Sequence, residues 1–406
     1  MSNLKIPENL IKRDMYISRI LPFMNKSIVK VITGSRRVGK SYLLFQLMQT
    51  IVEKDKNANI IYLNMEEMVF EEIKNAIDLN TYVNQHIAEN QMNYIFIDEI
   101  QEIFEFEKAI RSLQLNPKND IYITGSNANL LSGELATLLG GRTIEFSVFS
   151  LSYSEFLGFH NLKENEESVL KFIKFGGLPY LIHLELSDEI AFEYLKNIYA
   201  SIVYRDVVSR YKIRSINFLE RLIRFLASNV SSMYSSKSIS NFLKSQNTNI
   251  AHNQVQTFTD YLVNSFLIHK VPRYDLIGKR IFEVGEKYYF ENTGIRNAII
   301  EYNQNDLSKL IENIVYNHLL FTGYEVKIGW MNGLEIDFVA KKQNEITYIQ
   351  VALSIINENT IEREFGNLLK INDNYPKLVI TMEDPLKNTF KGIQHISLRK
   401  FLMTFV

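Results

Sequence analysis

The sequence predicts an α/β fold opening on a parallel sheet covered by helices, and two observations predict it. Apolar runs of strand length recur at 28–33, 59–64, 93–97, 120–126 and 143–148, with helix-patterned stretches between them. Strands alternating with helices suit a parallel sheet, because each crossover returns the chain to the same end of the layer. The second observation is the glycine-bracketed segment Gly34-Ser35-Arg36-Arg37-Val38-Gly39-Lys40-Ser41, which directly follows the first run and leads into a helix over 41–48. In open sheets of this kind ligands bind at the carboxyl ends of the strands, which is where that segment lies.

The segment fits the phosphate-binding pattern G-x-x-x-x-G-K-[S/T] in its strand–loop–helix setting. Gly34 and Gly39 allow dihedrals and close approach that a side chain would block. The amides of Gly34, Ser35, Arg36, Arg37, Val38, Gly39, Lys40, Ser41 and Tyr42 form the candidate nucleotide cradle, and the helix dipole favours the anion. Lys40 reaches toward the β- and γ-phosphates, and the Ser41 hydroxyl is a ligand for Mg²⁺. The competing reading is a glycine turn followed by a surface lysine.

The second strand leads into an acidic stretch read as a helix over 71–77. The third ends in Asp98-Glu99. Asp98 at a strand tip holds Mg²⁺ through water, and Glu99 polarises the attacking water. A solvated turn capping the next helix is the alternative, but together with the phosphate loop the pair points to a hydrolase. Ser126 and Asn127 end the fourth strand, facing the space between Lys40 and Glu99. They hydrogen-bond the γ-phosphate or the water, cap a helix over 128–139, or both. That helix stops at Gly140-Gly141. Arg142 follows on the rim, distant from its own loop and able to enter a neighbour's site, where a guanidinium is worth roughly 10³–10⁵ in rate. Pairing with a local carboxylate is the alternative.

At 406 residues the chain is long enough for several domains. Its net charge of −1 gives no sign of a globally basic nucleic-acid protein, though a local patch is compatible with it. The absence of cysteine excludes disulfides and thiolate-bound zinc, and fits a reducing compartment. No secretory leader and no membrane-length apolar stretch is evident, so a soluble cytoplasmic protein without a membrane partner is expected.

Beyond residue 155 the pattern turns helical, through Lys174-Phe175-Gly176-Gly177-Leu178-Pro179 to a helix around 204–208, and is read as a lid over 156–215. Residues 216–290 give three helices (the latter two at 237–244 and 251–262) and two strands (266–271 and 281–290), the order of a winged helix-turn-helix. Asn249, His252, Asn253 and Gln256 lie at or on its third helix, Lys279 and Arg280 on its wing. Their weak basicity makes protein contact as good a reading as base contact. Residues 291–406 run helix 307–320, strands 325–330, 334–340 and 346–351, helix 361–371 and strand 378–381. Glu312, Asp337 and Gln350, with Glu335, form a candidate second metal site for phosphodiester cleavage. Ala352 stands where such a site wants a lysine, for which Lys341, Lys342 or Lys370 would have to substitute, so a degenerate, non-cutting version is favoured.

These residues resemble, nearly end to end, the prokaryotic AAA-type (AAA+) ATPases of the archaeal-ATPase-like type that carry a carboxyl-terminal domain of unknown function. The matching stretches are Ile32 to Ser41, Phe96-Ile97-Asp98-Glu99-Ile100-Gln101, Ile123-Thr124-Gly125-Ser126, and Glu134-Leu135 through Gly141-Arg142. Further matches are Gly176-Gly177-Leu178-Pro179, Glu335-Ile336-Asp337-Phe338 and Tyr348-Ile349-Gln350-Val351. The resemblance implies ATP as nucleotide, a homo-oligomeric ring or arc, Arg142 as an arginine finger, and a terminal fold like the PD-(D/E)XK nucleases. Gln350-Val351-Ala352 departs from the acid-x-lysine pattern of those enzymes.

The function read from the sequence is therefore a Mg²⁺-ATP-dependent switch or motor. Lys40, Glu99, Ser126, Asn127 and Arg142 carry its chemistry, Ser41 and Asp98 hold its metal, and its later domains bind a partner, DNA or protein. An ATP-gated metal-dependent nuclease and a non-enzymatic, ATP-liganded DNA-binding regulator are the rival readings. Residues 13–19, before the first strand, are the expected neighbourhood of the adenine.

Overall fold

A computed structural model describes residues 6–7, 10–128, 139–246, 250–278, 280–355 and 358–404. The expected helix over 128–139 lies almost wholly outside the described residues, as do Glu134, Leu135, Asn249 and Lys279. The chain divides into two compact units, Met1–Phe149 with Asn264–Phe266, and Ser150–Val263 with Leu267–Val406.

The first unit is a five-stranded parallel sheet. Helix α1 (Asp14–Ile20) precedes β1 (Val29–Thr33), and α2 (Lys40–Lys54) follows it. Then come β2 (Asn59–Asn64), α3 (Ala76–His86), β3 (Asn93–Asp98), α4 (Phe106–Leu113), β4 (Asn119–Gly125) and β5 (Thr143–Ser147). The strand order is β2-β3-β4-β1-β5, with β1 parallel to both β4 and β5. Every residue of β1, β3 and β4 is buried, which is why these strands read as continuous apolar runs rather than alternating ones. Val31, Ile95, Ile97, Ile121 and Ile123 pack with Leu79, Val83, Ile110 and Leu113 in one core. Because β4 lies between β1 and β3, the loop after β1 and the carboxylates ending β3 are about 10 Å apart in strand spacing. Both lie at the carboxyl end of the sheet. At the opposite end, the buried Lys30 ammonium pairs with Asp120, whose other oxygen accepts from Tyr122 Oη and Asn25 N, each at 2.9 Å.

The acidic stretch expected to be helical over 71–77 is helical only at Ala76 and Ile77. The helix begins at Ala76 because Asn75 caps it, accepting from Ile77 N and Asp78 N, while Asp78 returns a carboxylate to Asn75 N. Reciprocal capping fixes a helix start, and Glu71 and Glu72 stand before it.

The second unit begins with α5 (Tyr153–His160), α6 (Glu166–Phe175) and α7 (Asp188–Ser201). The last runs on as a π-helical segment, Ile202–Ser209, before α8 (Ile216–Ser228). Gly177 and Gly294 explain the Gly-Gly-Leu-Pro motif: a Cβ on Gly177 would collide with the Leu151 carbonyl, and one on Gly294 with the Phe175 carbonyl. The motif is thus a place of close backbone approach, Gly177 against Leu151 and Phe175-Gly176 against Gly294 of α9 (Thr293–Ile300).

Short β6 (Met233–Tyr234), helices over Ser236–Ser245 and His252–Asn264, and the hairpin β7 (Ile268–Asp275) and β8 (Arg280–Phe290) keep the expected order. The hairpin does not stand alone, however. Strand β7 pairs in parallel with β9 (Glu325–Met331), through Arg273 with Ile328 and Tyr274 with Gly329. With β10 (Leu334–Lys342), β11 (Glu345–Ala352), β12 (Lys377–Thr381), β13 (Thr389–Phe390) and β14 (Ile393–Ser397), a single nine-stranded mixed sheet results. Helices α10 (Leu307–Phe321) and α11 (Glu358–Leu369) pack on it. Among the described residues no helix is long and apolar enough to cross a membrane.

Candidate active site

The loop between β1 and α2 takes the conformations that its glycines permit. Gly34 has φ +149° and Gly39 φ +96°. A Cβ on Gly34 would run into the Val148 carbonyl oxygen, so this position admits no side chain. Arg37, exposed, also sits in the left-handed region, at φ +67°. Ser35, Arg36, Val38 and Lys40 are buried. The Lys40 ammonium folds back onto the loop, donating to the carbonyls of Gly34 at 3.1 Å and Ser35 at 3.0 Å. It also lies 3.7 Å from Glu99 Oε1. Arg36 reaches Glu66 Oε1 at 3.2 Å.

On the facing side, Asp98 is buried and bonded on several sides. Thr124 Oγ1, on β4, donates to Asp98 Oδ1; Ser41 hydrogen-bonds the same carboxylate; Tyr62 Oη stands 3.5 Å from Oδ2. Burial pushes the Asp98 carboxyl above its ordinary range, against the opposing pull of Ser41, Thr124 and Lys40. Glu99 behaves the other way. Its burial raises it, but Lys40, Gln101, Arg36 and Ser126 together outweigh that and hold it below the usual glutamate range. Two adjacent carboxylates are thus driven apart, with Glu99 kept as the anion. Glu99 has φ +56°, and its amide donates to Thr124 Oγ1 at 3.0 Å. Its Oε2 accepts from Gln101 Nε2 and from Ser126 Oγ, the latter at 3.2 Å.

The fold therefore gathers Lys40, Ser41, Asp98, Glu99 and Ser126 at one end of the sheet. Asn127 is buried beside Ser126 in sequence. Tyr42, by contrast, is 55% exposed on α2. Arg142 is exposed at the amino end of β5, where its carbonyl accepts from Val29 N, the start of β1. It thus sits at the end of the sheet remote from its own Lys40. Arg13 braces the loop: its guanidinium donates to the carbonyls of Val38 at 3.0 Å and Phe149 at 3.1 Å and lies over the Tyr16 ring. Motif and spacing alone assign no role to Thr124 or Gln101, which the fold brings into the site. Thr124 hides as one more β-branched strand residue, and Gln101 carries no charge to draw notice.

The second carboxylate cluster has a different character. Glu312 on α10 and Glu335 and Asp337 on β10 all face Lys287 of β8, at 2.8, 2.6 and 3.7 Å. Gln350 accepts from Asp337 N at 2.9 Å and donates to Glu364 at 3.0 Å. Lys341, Lys342 and Lys370 are all exposed. Burial alone would lower the Lys287 ammonium, but the three carboxylates overcome it and push it far above the ordinary lysine range. An ammonium stands where a divalent cation would have to sit, and among the described residues no three acidic or histidine side chains form a metal cage. The residues present do not fit a metal there.

Residues 26–157 match an AAA domain, and residues 166–306 match a domain of unknown function (DUF8612). The chain is 36% identical over 401 residues to an uncharacterized protein of Haemophilus influenzae, covering 97% of this chain and 99% of that one. It is 32% identical over 382 residues to the uncharacterized protein MJ1544 of Methanocaldococcus jannaschii, covering 90% and 82%. Among solved structures, AMPPCP-bound DnaA from Aquifex aeolicus overlaps 56% of this chain and 73% of its own, at 15% identity and TM-score 0.29, a likeness too slight to carry an inference. The chain belongs to the family of these Haemophilus and Methanocaldococcus proteins, and its residues 26–157 form an AAA domain.

Proposed function

We propose that this protein is an ATP-hydrolysing switch or motor. The observation that carries the reading is the position of the Lys40 ammonium, between the carbonyls of its own loop and Glu99 at the carboxyl end of a parallel sheet. A triphosphate offers Lys40 a stronger partner than two carbonyls and a carboxylate at 3.7 Å, because its charge is multiple and the loop amides and the α2 dipole converge on it. When Lys40 turns to the β- and γ-phosphates, Glu99 loses its nearest cation and becomes more basic. The water oxygen then bonds the γ-phosphorus, the bond to the bridging oxygen breaks, ADP leaves with the electron pair, and Glu99 takes the water's proton. Ser41 and Asp98 would hold Mg²⁺, which neutralises phosphate charge when bound. Ser126 and Asn127 orient the γ-phosphate or the water. Arg142 acts on a neighbouring copy's nucleotide, within a homo-oligomer.

The later regions, 156–215 as lid, 216–290 as winged helix and 291–406 as nuclease-like fold, form the partner-binding part of a cytoplasmic protein. DNA is one candidate partner and a protein the other. A cutting role is disfavoured by Ala352 and by the Lys287 ammonium among the carboxylates. Plasmid cleavage with Mg²⁺ or Mn²⁺ that disappears in Asp337→Ala would reinstate it.

The test is paired. Lys40→Ala loses Mg²⁺-ATP binding, and Glu99→Gln binds ATP normally while turnover falls about 10²–10⁴-fold. Unchanged turnover in a folded Glu99→Gln protein overturns the assignment of the base.

A further inference from the structure

We propose that Gln101 is a positioning residue for hydrolysis, clamping one oxygen of Glu99 so that the other faces the attacking water. This rests on the hydrolytic reading above. Gln101 follows Glu99 by two residues in a 3₁₀ turn over Ile100–Glu102, which turns its amide back to the carboxylate. Gln101 Nε2 donates to Glu99 Oε2 and lies 3.4 Å from Ser126 Oγ, which donates to the same Oε2 at 3.2 Å. Two neutral donors thus converge on Oε2. Among the described residues Oε1 has only the Lys40 ammonium, at 3.7 Å, and that partner leaves for the phosphates on the proposed mechanism. What remains is a carboxylate with one oxygen held and one open.

The other half of the amide supplies the second observation. Gln101 Oε1 is buried and has no hydrogen-bond partner among the described residues. An orphaned buried acceptor costs stability. The amide cannot turn round to relieve it, since its oxygen would then face the Glu99 carboxylate. Gln101 therefore holds Glu99 at a cost to the stability of the fold. Glu99 is itself held in the left-handed backbone region, at φ +56°, where a non-glycine residue is strained. Strain and an unsatisfied oxygen so close together point to a device for placing the carboxylate rather than for packing.

A structural role and a positioning role predict opposite stability effects. Gln101→Met keeps the length of the side chain and removes both the donor and the orphaned oxygen. The expected result is a thermal midpoint equal to or above wild type, an unchanged KM for Mg²⁺-ATP, and a kcat lower by about 10–100-fold, the cost of a misplaced reacting group. Gln101→Glu cannot donate when ionised and repels Glu99. Its kcat is low at pH 8 and partly recovers toward pH 5, where a protonated glutamate can donate again, in contrast to Gln101→Met. Gln101→Met with wild-type kcat, or with kcat lost only in step with a lowered midpoint, overturns the proposal while leaving ATP hydrolysis standing. Absence of turnover in wild type, with ATP bound, overturns the hydrolytic reading and this proposal with it.

Discussion

Gly34 shows how much of the site is decided by single atoms. Its φ of +149° and the Val148 carbonyl beside it leave no room for a Cβ, so Gly34→Ala must shift either the loop or the start of the connection after β5. A cost on the order of 3 kcal/mol is expected from combined strain and overpacking. Denaturant melts would show it, alongside loss of ATP binding. Glu99 makes a pH prediction with a definite sign. Because Lys40, Gln101, Arg36 and Ser126 outweigh burial and hold its carboxyl below the glutamate norm, the free protein keeps Glu99 ionised well into acid. The acid limb of kcat/KM, which reports the free enzyme, should lie below the ordinary glutamate range. A limb at pH 6 or above would mean that another group is the base. The loop glycines, Lys40, Ser41 and the Asp98-Glu99 pair were legible in the sequence because their chemistry demands particular residue types at particular spacings. Gln101 and Thr124 were not, because a neutral amide and a strand threonine acquire meaning only once the fold shows what they touch.

At the scale of the element, Lys287 holds β8, α10 and β10 together through three carboxylates. Lys287→Met leaves Glu312 and Asp337 largely buried without their cation, at a cost of about 3–5 kcal/mol. The sign with pH follows from Glu312 and Asp337, whose carboxyls burial already raises. Without the lysine they rise further, so the variant regains stability as falling pH protonates them. Wild type and variant should differ most near pH 7.5 and less near pH 5 in chemical denaturation; a constant difference would rule out this origin for the cost. The buried strands of the first unit were readable as apolar runs. The start of α3 was not, because acidic composition over 71–77 suggested a helix there, whereas the Asn75–Asp78 capping exchange sets the boundary. Nor was the joining of β7 to β9 legible, since parallel pairing between segments distant in sequence leaves no local periodicity to find.

At the scale of the molecule, Arg142 separates a self-sufficient ATPase from one completed by its neighbour. It lies at the amino end of β5, away from its own Lys40, so a catalytic role requires a second copy. Specific activity should then rise with protein concentration, and Arg142→Ala should lower it by about 10³-fold or more without weakening ATP binding. Mixing Arg142→Ala with Glu99→Gln, each inactive alone, should restore part of the activity, because each copy supplies what the other lacks. Concentration-independent turnover that survives Arg142→Ala would make this arginine an ordinary surface residue. The parallel sheet of the first unit could be read from element patterns, but an assembly has no signature in one sequence beyond a charged residue on a rim.

Everything at the larger scales presupposes that the loop after β1 takes up a nucleoside triphosphate. Equilibrium dialysis of Mg²⁺-ATP against the folded wild-type protein and against Lys40→Ala measures this without intermediaries. Saturable uptake of one ATP per chain by wild type, and none by the variant, is expected. No uptake of ATP or GTP by folded wild type, or equal uptake by Lys40→Ala, would refute it.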